Sequence, residues 1–166
     1  MIKSPPSKIT FMDRIYNFKK NMHNIKLIND FFKREEQIFT YLGAEVKRVD
    51  TGYAEMILPY TERITRAGRI LHGGVIMTML DYTGGLAVMT INDGEDQVTQ
   101  ELKVNFLNPM YKGPFTSSAR IVKGGRTAVV VDVEFRDSEN TLGAKGLGTW
   151  YIIRNRSIDY KDTNSK

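Results

Sequence analysis

The stretch Leu71-His72-Gly73-Gly74-Val75-Ile76-Met77-Thr78-Met79-Leu80-Asp81 decides the fold of this chain, because it opens a long apolar segment. A His-Gly-Gly turn precedes residues that are apolar or small almost without interruption up to Ile91. A helix that is apolar on every face is predicted to lie inside a protein. Asp81 is the one carboxylate in this segment, and a buried carboxylate without a partner is costly. We therefore interpret Asp81 as a functional group.

Regular patterns flank this predicted helix on both sides. Apolar residues between Leu27 and Leu42 recur at helical spacing and predict one surface helix. Asp50-Thr51-Gly52 joins two alternating runs into a hairpin, and residues 59–71 have the composition of a polar loop. Asn92-Asp93-Gly94 is predicted to end the central helix. The strand candidates that follow cover residues 98–106, 115–123, 126–136 and 141–153.

An α+β fold follows from this order of elements. Short turns make the sheet antiparallel, and its apolar face needs a cover, which the central helix supplies. We predict a curved antiparallel sheet wrapped around one long central helix, with an N-terminal helical extension over residues 1–40 and a polar tail over residues 154–166. Because one helix leaves an edge strand and apolar surface exposed, pairing with a second copy is expected.

These motifs and their order resemble the hotdog-fold acyl-CoA thioesterases of the phenylacetic-acid-degradation (PaaI-like) type. As in that family, His72-Gly73-Gly74 begins the central helix and Asp81 follows nine residues after the His. The resemblance covers residues 41–153 and continues through Val98–Pro109, Gly125-Arg126 and Gly146–Thr149. It implies a hotdog domain that hydrolyses an acyl- or aryl-acyl-CoA to free acid and coenzyme A, as a homodimer or a dimer of dimers.

The start of the central helix and Asp81 are the candidate catalytic groups. Unpaired N–H groups at Gly73 and Gly74, together with the helix dipole, suit a developing oxyanion; a tight packed turn is the alternative. Asp81 lies eight residues after Gly73, which is about 12 Å along the axis at ~1.5 Å per residue. One subunit therefore cannot easily bring both groups to one thioester, whereas two antiparallel copies can, and the family is built that way.

The resemblance also assigns roles to side chains. It makes Asp81 either a general base or a nucleophile, without separating the two; a structural Asp is the alternative. It places the Thr99 hydroxyl beside the attacking water, and strand alternation predicts that Thr99 faces away from Val98 and Leu102, on the polar face. His72 is either a structural residue at the helix start or one that orients the substrate carbonyl.

This chain departs from the family before His72. The family has a carbonyl-binding Asn six residues before the His, where position 66 here is Arg. Gly68 precedes His72 by four residues, where three is usual in the family. Either Arg66 or Thr65 replaces the Asn, or the contact is absent.

Coenzyme A carries phosphates, so cationic side chains are expected near the mouth of the site. Lys112, Lys123 and Arg126 lie at predicted strand ends or turns, and Arg126 matches a family position. Each of the three is alternatively a solvated surface residue. No cofactor is expected besides the coenzyme A of the substrate.

Composition argues against several other classes. The chain has no Cys, which excludes disulfides, thiolate metal sites and a Cys nucleophile. His72 has no neighbouring acid cluster, so no metal site is predicted. Residues 1–40 hold eight Lys/Arg against four Asp/Glu, most of the formal charge of +5, and we interpret them as a solvated extension rather than a nucleic-acid surface. No secretory signal or membrane span is predicted, so cytoplasmic residence is the default.

Two other functions of hotdog proteins are alternatives to the thioesterase. A non-catalytic sensor or regulator that binds acyl-CoA tends to lack the acid on the helix, whereas Asp81 is present. A hotdog hydratase pairs an Asp with a later His, and no His follows Asp81. The thioesterase is therefore the prediction, with binding without turnover as the alternative. Residues before Leu27 show no clear apolar period, so truncation through Asn24 is expected to leave the core and its activity intact.

Overall fold

The computed structural model describes residues 18–154. Helices α1 (Ile25–Glu35) and α2 (Gln37–Leu42) precede strands β1 (Glu45–Asp50) and β2 (Tyr53–Leu58). A 3₁₀ turn (Glu62–Ile64) and the short strands β3 (Thr65–Arg66) and β4 (Ile70–Leu71) lead into the central helix α3 (Gly73–Met89). Strands β5 (Asp96–Phe106), β6 (Phe115–Gly124), β7 (Ala128–Arg136) and β8 (Leu142–Ile153) follow.

One sheet of six strands organises the fold. Its strand order is β1-β2-β6-β7-β8-β5, and every neighbouring pair is antiparallel, as the short turns predicted. The central helix α3 packs across β2, β6, β7 and β5. The predicted α+β architecture, an antiparallel sheet curved around one central helix, is therefore confirmed. Within residues 18–154, no helix has the length and apolar character needed to cross a membrane.

Small and polar residues fix how α3 sits on the sheet. Trp150 of β8 is buried against Gly84, where a Cβ atom would overlap the indole ring. The Thr83 and Ser117 hydroxyl oxygens are 2.7 Å apart, and Ser117 also donates to the Met79 carbonyl at 3.2 Å. These buried contacts set the rotation of α3 about its axis, because they hold one face of the helix against β6 and β8.

The opposite face of α3 forms an uncovered stripe, made of Gly74, Met77, Thr78 and Asp81. Gly74 and Met77 are exposed, and Thr78 and Asp81 are half-buried. Residues spaced three and four apart lie on one helix face, so these four side chains line up. The prediction that the helix is buried on every face is wrong for the single chain, because the sheet covers only one side of it. Asp81 is accordingly half-buried, not buried.

The N-terminal extension is part of the core rather than a helix laid on its surface. The predicted single helix is divided at Glu36, whose backbone is extended (φ −113°, ψ 94°). This break lets Phe32 and Phe39 both turn inward, where their rings pack edge-on against Tyr82 of α3. Phe18 is buried as well, so residues before Leu27 contribute to the core although their sequence shows no clear apolar period.

Two boundaries differ from the sequence expectation for local reasons. The domain boundary expected at residue 41 falls inside α2, and α3 ends at Met89 rather than at the Asn92–Gly94 turn. The Thr90 hydroxyl donates to the Ala87 carbonyl at 2.6 Å and accepts from the Gly52 N–H at 2.8 Å, which ties the helix end to the β1–β2 turn. Competition of this hydroxyl for backbone groups ends the helix early.

The segment predicted as a polar loop, residues 59–71, is more ordered than expected. After the 3₁₀ turn, β3 and β4 pair as a short hairpin in which Arg66 lies opposite Ile70. Its turn contains two left-handed residues, Gly68 (φ 86°) and Arg69 (φ 58°). The turn accommodates the four-residue spacing between Gly68 and His72, and it delivers the chain to the start of α3.

Candidate active site

The Asp81 carboxylate is held by a hydroxyl from the edge of the sheet. Thr99 Oγ1 of β5 donates a 2.6 Å hydrogen bond to Oδ1 of Asp81. Within residues 18–154 no donor contacts Oδ2 of Asp81, so this oxygen is available to accept a proton or to attack an electrophile. The structure therefore brings these two sequence-predicted site residues together.

A β-bulge in β5 makes this contact possible. The register shifts between Thr99 and Glu101, so that Thr99 lies opposite Trp150 and Leu102 lies opposite Gly148. Opposed residues of an antiparallel pair point to the same face, and Trp150 points towards α3. Thr99 and Leu102 therefore share the inner face, and the prediction that they face opposite sides is wrong. An inserted residue breaks strict alternation without leaving a sequence pattern.

The first turn of α3 offers one backbone donor. The Gly74 N–H donates to Nδ1 of His72 at 3.0 Å, while the N–H groups of Val75 and Ile76 donate to the His72 carbonyl. In the described part of the chain, the Gly73 N–H has no acceptor. Of the two glycines predicted as oxyanion donors, Gly73 thus keeps its donor free, whereas the donor of Gly74 is occupied.

His72 acts as the N-cap of α3 through its side chain. An imidazole nitrogen that accepts a hydrogen bond carries no proton, so in the neutral ring the hydrogen lies on Nε2. The structural role expected for His72 is visible in this contact. The Nε2–H group remains a donor at the exposed helix start.

A pocket of about 320 Å³ opens beside Gly73. Three segments enclose it: the β3–β4 hairpin, the first turn of α3, and the end of β5 with the chain that follows. Its lining residues are Arg66, Ile70, Leu71, Gly73, Ile76, Phe106, Leu107, Asn108, Pro109 and Met110. Sequence reasoning did not select Phe106 or Asn108 as site residues. The available signal was the polar-apolar run Asn105–Pro109, which spans the end of the edge strand.

The structure distinguishes the two residues that were expected to replace the family's Asn. Thr65 Oγ1 donates to the Glu62 carbonyl at 2.8 Å, so its one hydrogen is used within the 3₁₀ turn. Arg66 lines the pocket and donates from Nη1 to the Ala67 carbonyl at 3.1 Å. Arg66 is therefore the side chain of this pair with donors left for a ligand.

The other predicted cations are not at the pocket. Lys112 Nζ contacts Glu139 at 2.7 Å, and this hydrogen bond raises the pKa of the lysine. Lys123 and Arg126 lie near the β6–β7 turn, beside the C-terminal end of α3, where Gly124 approaches Ile91. None of the three is among the residues that line the pocket beside Gly73.

The two candidate catalytic groups lie apart on one helix. Gly73 and Asp81 both belong to the uninterrupted helix α3, eight residues apart, so about 12 Å of helix axis separates them. Strand β5, which carries Thr99, is an edge strand that pairs only with β8 within the described residues. Asp81 and the start of α3 thus border a surface that the single chain leaves open.

Comparison with known proteins places this geometry in a family. Residues 68–144 match the family described as "Thioesterase superfamily". A protein of Saccharolobus solfataricus named "Putative esterase" is 52% identical over 132 residues, which cover 80% of this chain and 94% of that protein. The chain belongs to the thioesterase superfamily. Membership places it among hydrolases that cleave thioesters, and His72, Gly73, Asp81 and Thr99 all lie in the matched range.

Solved structures of the thioesterase superfamily share the architecture. A thioesterase family protein from Silicibacter pomeroyi superposes with a TM-score of 0.72 at 28% identity, covering 84% of this chain and 99% of that one. The PaaI protein of E. coli, from the phenylacetic acid degradation operon, superposes with a TM-score of 0.69. At 18% identity, over 87% of this chain and 96% of that one, this second likeness shows the hotdog fold alone.

Proposed function

We propose that this protein is an acyl-CoA thioesterase of the PaaI-like type, which releases a free acid and coenzyme A. The hydrogen bond from Thr99 to Asp81 carries the proposal. A carboxylate with one oxygen held by a hydroxyl and the other unoccupied suits proton transfer from water. It also argues against binding without turnover, because a protein that only binds acyl-CoA has no use for this pair.

The reaction needs a base and an oxyanion donor. In the general-base route, Oδ2 of Asp81 takes a proton from water as the water oxygen bonds to the thioester carbon. The Gly73 N–H stabilises the resulting oxyanion at the positive end of the α3 dipole. The carbon–sulfur bond then breaks, the thiolate of coenzyme A takes the proton from Asp81, and the acid leaves.

In the nucleophile route, the Asp81 carboxylate attacks the same carbon and expels the thiolate of coenzyme A. Water then hydrolyses the resulting anhydride. Label in the Asp81 side chain after a single turnover in isotopically labelled water would demonstrate the nucleophile route, with water attacking the Asp81 carbonyl of the anhydride. Label in the product acid is expected from the general-base route, and also from the nucleophile route if water attacks the acyl carbonyl instead.

We further propose that each site is formed by two copies of the chain. The distance along α3 keeps Gly73 and Asp81 of one chain from the same thioester carbon. Strand β5 has an open edge, and exposed Val98 and Phe106 lie along it. Antiparallel pairing of β5 with its copy would cover the uncovered stripe, and would set Gly73 of one protomer against Asp81 of its partner.

Thiol release from a panel of acyl- and aryl-acyl-CoA esters tests the proposal. Asp81→Asn should lower turnover at least a hundredfold with little effect on acyl-CoA binding, since general acid–base groups contribute about 10²–10⁴. Asp30→Asn is a matched control, because Asp30 is an exposed acid of α1 that pairs with Lys26. Wild-type rates in Asp81→Asn would contradict the proposed chemistry. Tight binding by the wild type with no thiol release would favour the alternative, a non-catalytic acyl-CoA-binding protein.

A further inference from the structure

The pocket beside Gly73 constrains what a substrate can place there. If the thioester oxygen binds the Gly73 N–H, as the proposed function requires, the thioester carbon lies at this pocket, which can receive one of its two substituents. That substituent is either the acyl group or the coenzyme A arm. The lining of the pocket distinguishes them.

The lining combines apolar walls with one charge. Seven of the ten lining residues are apolar. Arg66 is the charged residue of this lining, which includes no carboxylate. Within residues 18–154, its guanidinium makes one hydrogen bond, to the Ala67 carbonyl, and no ion pair. Arg69, in the same hairpin, lies 3.6 Å from Glu62. A guanidinium has five N–H donors and binds a carboxylate through two of them, so Arg66 has capacity for an anion.

The hairpin and the helix start supply the charge and the oxyanion donor separately. Arg66 lies opposite Ile70, three residues before Gly73, and its guanidinium is turned towards Ala67 in the hairpin turn. Arg66 and Gly73 thus line the same pocket, with the guanidinium bound at the hairpin turn and the N–H at the start of α3. A group that begins at the thioester carbonyl reaches Arg66 with its far end.

The phosphates of coenzyme A do not fit this position. The whole pantetheine arm separates them from the sulfur, whereas the pocket, at about 320 Å³, is at the small end of the range for ligand pockets. We propose that the pocket binds the acyl group, and that Arg66 selects acyl groups whose far end carries a carboxylate. The substrate class is then the coenzyme A half-thioester of a short dicarboxylic acid.

A pair of isosteric substrates tests this inference. Glutaryl-CoA ends in a carboxylate, and 5-methylhexanoyl-CoA has the same shape with two methyl groups instead of the oxygens. The wild type should show the higher kcat/KM with glutaryl-CoA. Arg66→Gln should lower the ratio of the two kcat/KM values at least tenfold, and Arg66→Lys should retain part of the preference because it keeps the charge.

Arg69→Gln is the matched control, since Arg69 belongs to the same hairpin but does not line the pocket; it should leave the ratio unchanged. An equal loss with both substrates in Arg66→Gln would overturn the inference, because Arg66 would then act on the shared thioester or coenzyme A. A wild-type preference for 5-methylhexanoyl-CoA would overturn it as well.

If the wild type hydrolyses neither ester, this result contradicts the proposed function but does not decide the inference about Arg66. The inference is then decided by binding. Dissociation constants of the two esters, measured with Asp81→Asn to prevent turnover, should favour glutaryl-CoA, and this preference should be lost when Arg66→Gln is added. Equal dissociation constants in Asp81→Asn would overturn the inference.

Discussion

The Thr99 hydroxyl and the Asp81 carboxylate are joined by a 2.6 Å hydrogen bond that connects edge strand β5 to the uncovered stripe of α3. The bond exists because a bulge after Thr99 turns this side chain towards the helix. It holds one carboxylate oxygen and leaves the other available for chemistry. The position of Asp81 thus depends on the geometry of a strand that has an open edge.

Removing the Thr99 hydroxyl should therefore affect catalysis more than stability. We expect Thr99→Val to lower kcat about tenfold or more, because Asp81 loses the donor that orients it. Thr99→Ser keeps the hydroxyl and should retain most of the activity. Thiol-release kinetics and thermal unfolding of both variants provide the measurement. Equal activities of the Val and Ser variants would contradict a positioning role for the hydroxyl.

The long helix and the strands were predictable because periodicity is local. An apolar segment without a polar face predicted α3, and alternation over Val129, Val131, Val133 and Phe135 predicted β7. The turn at Asp50-Thr51-Gly52 predicted the hairpin of β1 and β2. These features depend on neighbours in sequence, so one chain is enough to recognise them.

The site was less predictable because it depends on contacts between distant residues. The bulge after Thr99 adds one residue to a strand, and no residue type marks it. Phe106 packs over Gly73, where a Cβ atom would lie 3.4 Å from the ring, a contact that neither segment reveals. The break at Glu36 follows from the burial of Phe32 and Phe39 in one core.

The N-cap contact of His72 predicts a stability effect. His72→Ala should lower the free energy of unfolding by about 1 kcal/mol, because the Gly74 N–H loses its acceptor. His72→Asn restores an N-cap acceptor and should recover most of this loss. Urea unfolding measures both. If His72→Asn has wild-type stability but its turnover falls a hundredfold, Nε2 acts on the substrate and the role is not only structural.

The N-terminal extension should contribute to stability, contrary to the sequence expectation. Phe18 is buried, and the Asn24 side chain accepts from the Leu27 N–H as the N-cap of α1. Phe18→Ala should lower the free energy of unfolding by roughly 3 kcal/mol, and Asn24→Ala by about 1 kcal/mol. Leu27→Ala, on the exposed face of α1, is the control. A truncation through Asn24 with wild-type stability would contradict this packing.

Tyr82 predicts a pH effect in the alkaline range. Burial, and then the Glu36 carboxylate that accepts its hydrogen bond, raise the pKa of Tyr82 from 10.0 to about 12. The folded state holds this proton more tightly than the unfolded state, so the stabilisation is complete below pH 10 and is lost as the pH rises through about 12. The difference in unfolding free energy between wild type and Tyr82→Phe should therefore shrink over that range. A difference that is constant with pH would contradict the assignment. Tyr53, whose pKa is also raised to about 12, is present in both proteins and cancels.

The central claim is that Gly73 of one protomer and Asp81 of its partner form one site, and mixed dimers test it directly. Gly73→Pro removes the backbone donor and suits the first helical position, so the fold should survive, as circular dichroism can verify. Gly73→Ala keeps the donor and controls for the added bulk, since its Cβ atom would only contact Phe106. Asp81→Ala chains lack the carboxylate and are the second inactive variant.

The decisive measurement is thiol release by dimers reassembled from equal amounts of Gly73→Pro and Asp81→Ala chains, each inactive alone. A shared site predicts recovery of roughly a quarter of wild-type activity, because half of the dimers are mixed and each of these has one site free of both lesions. Activity that stays at the level of the parent proteins, in dimers shown to be mixed, would contradict a site shared between subunits.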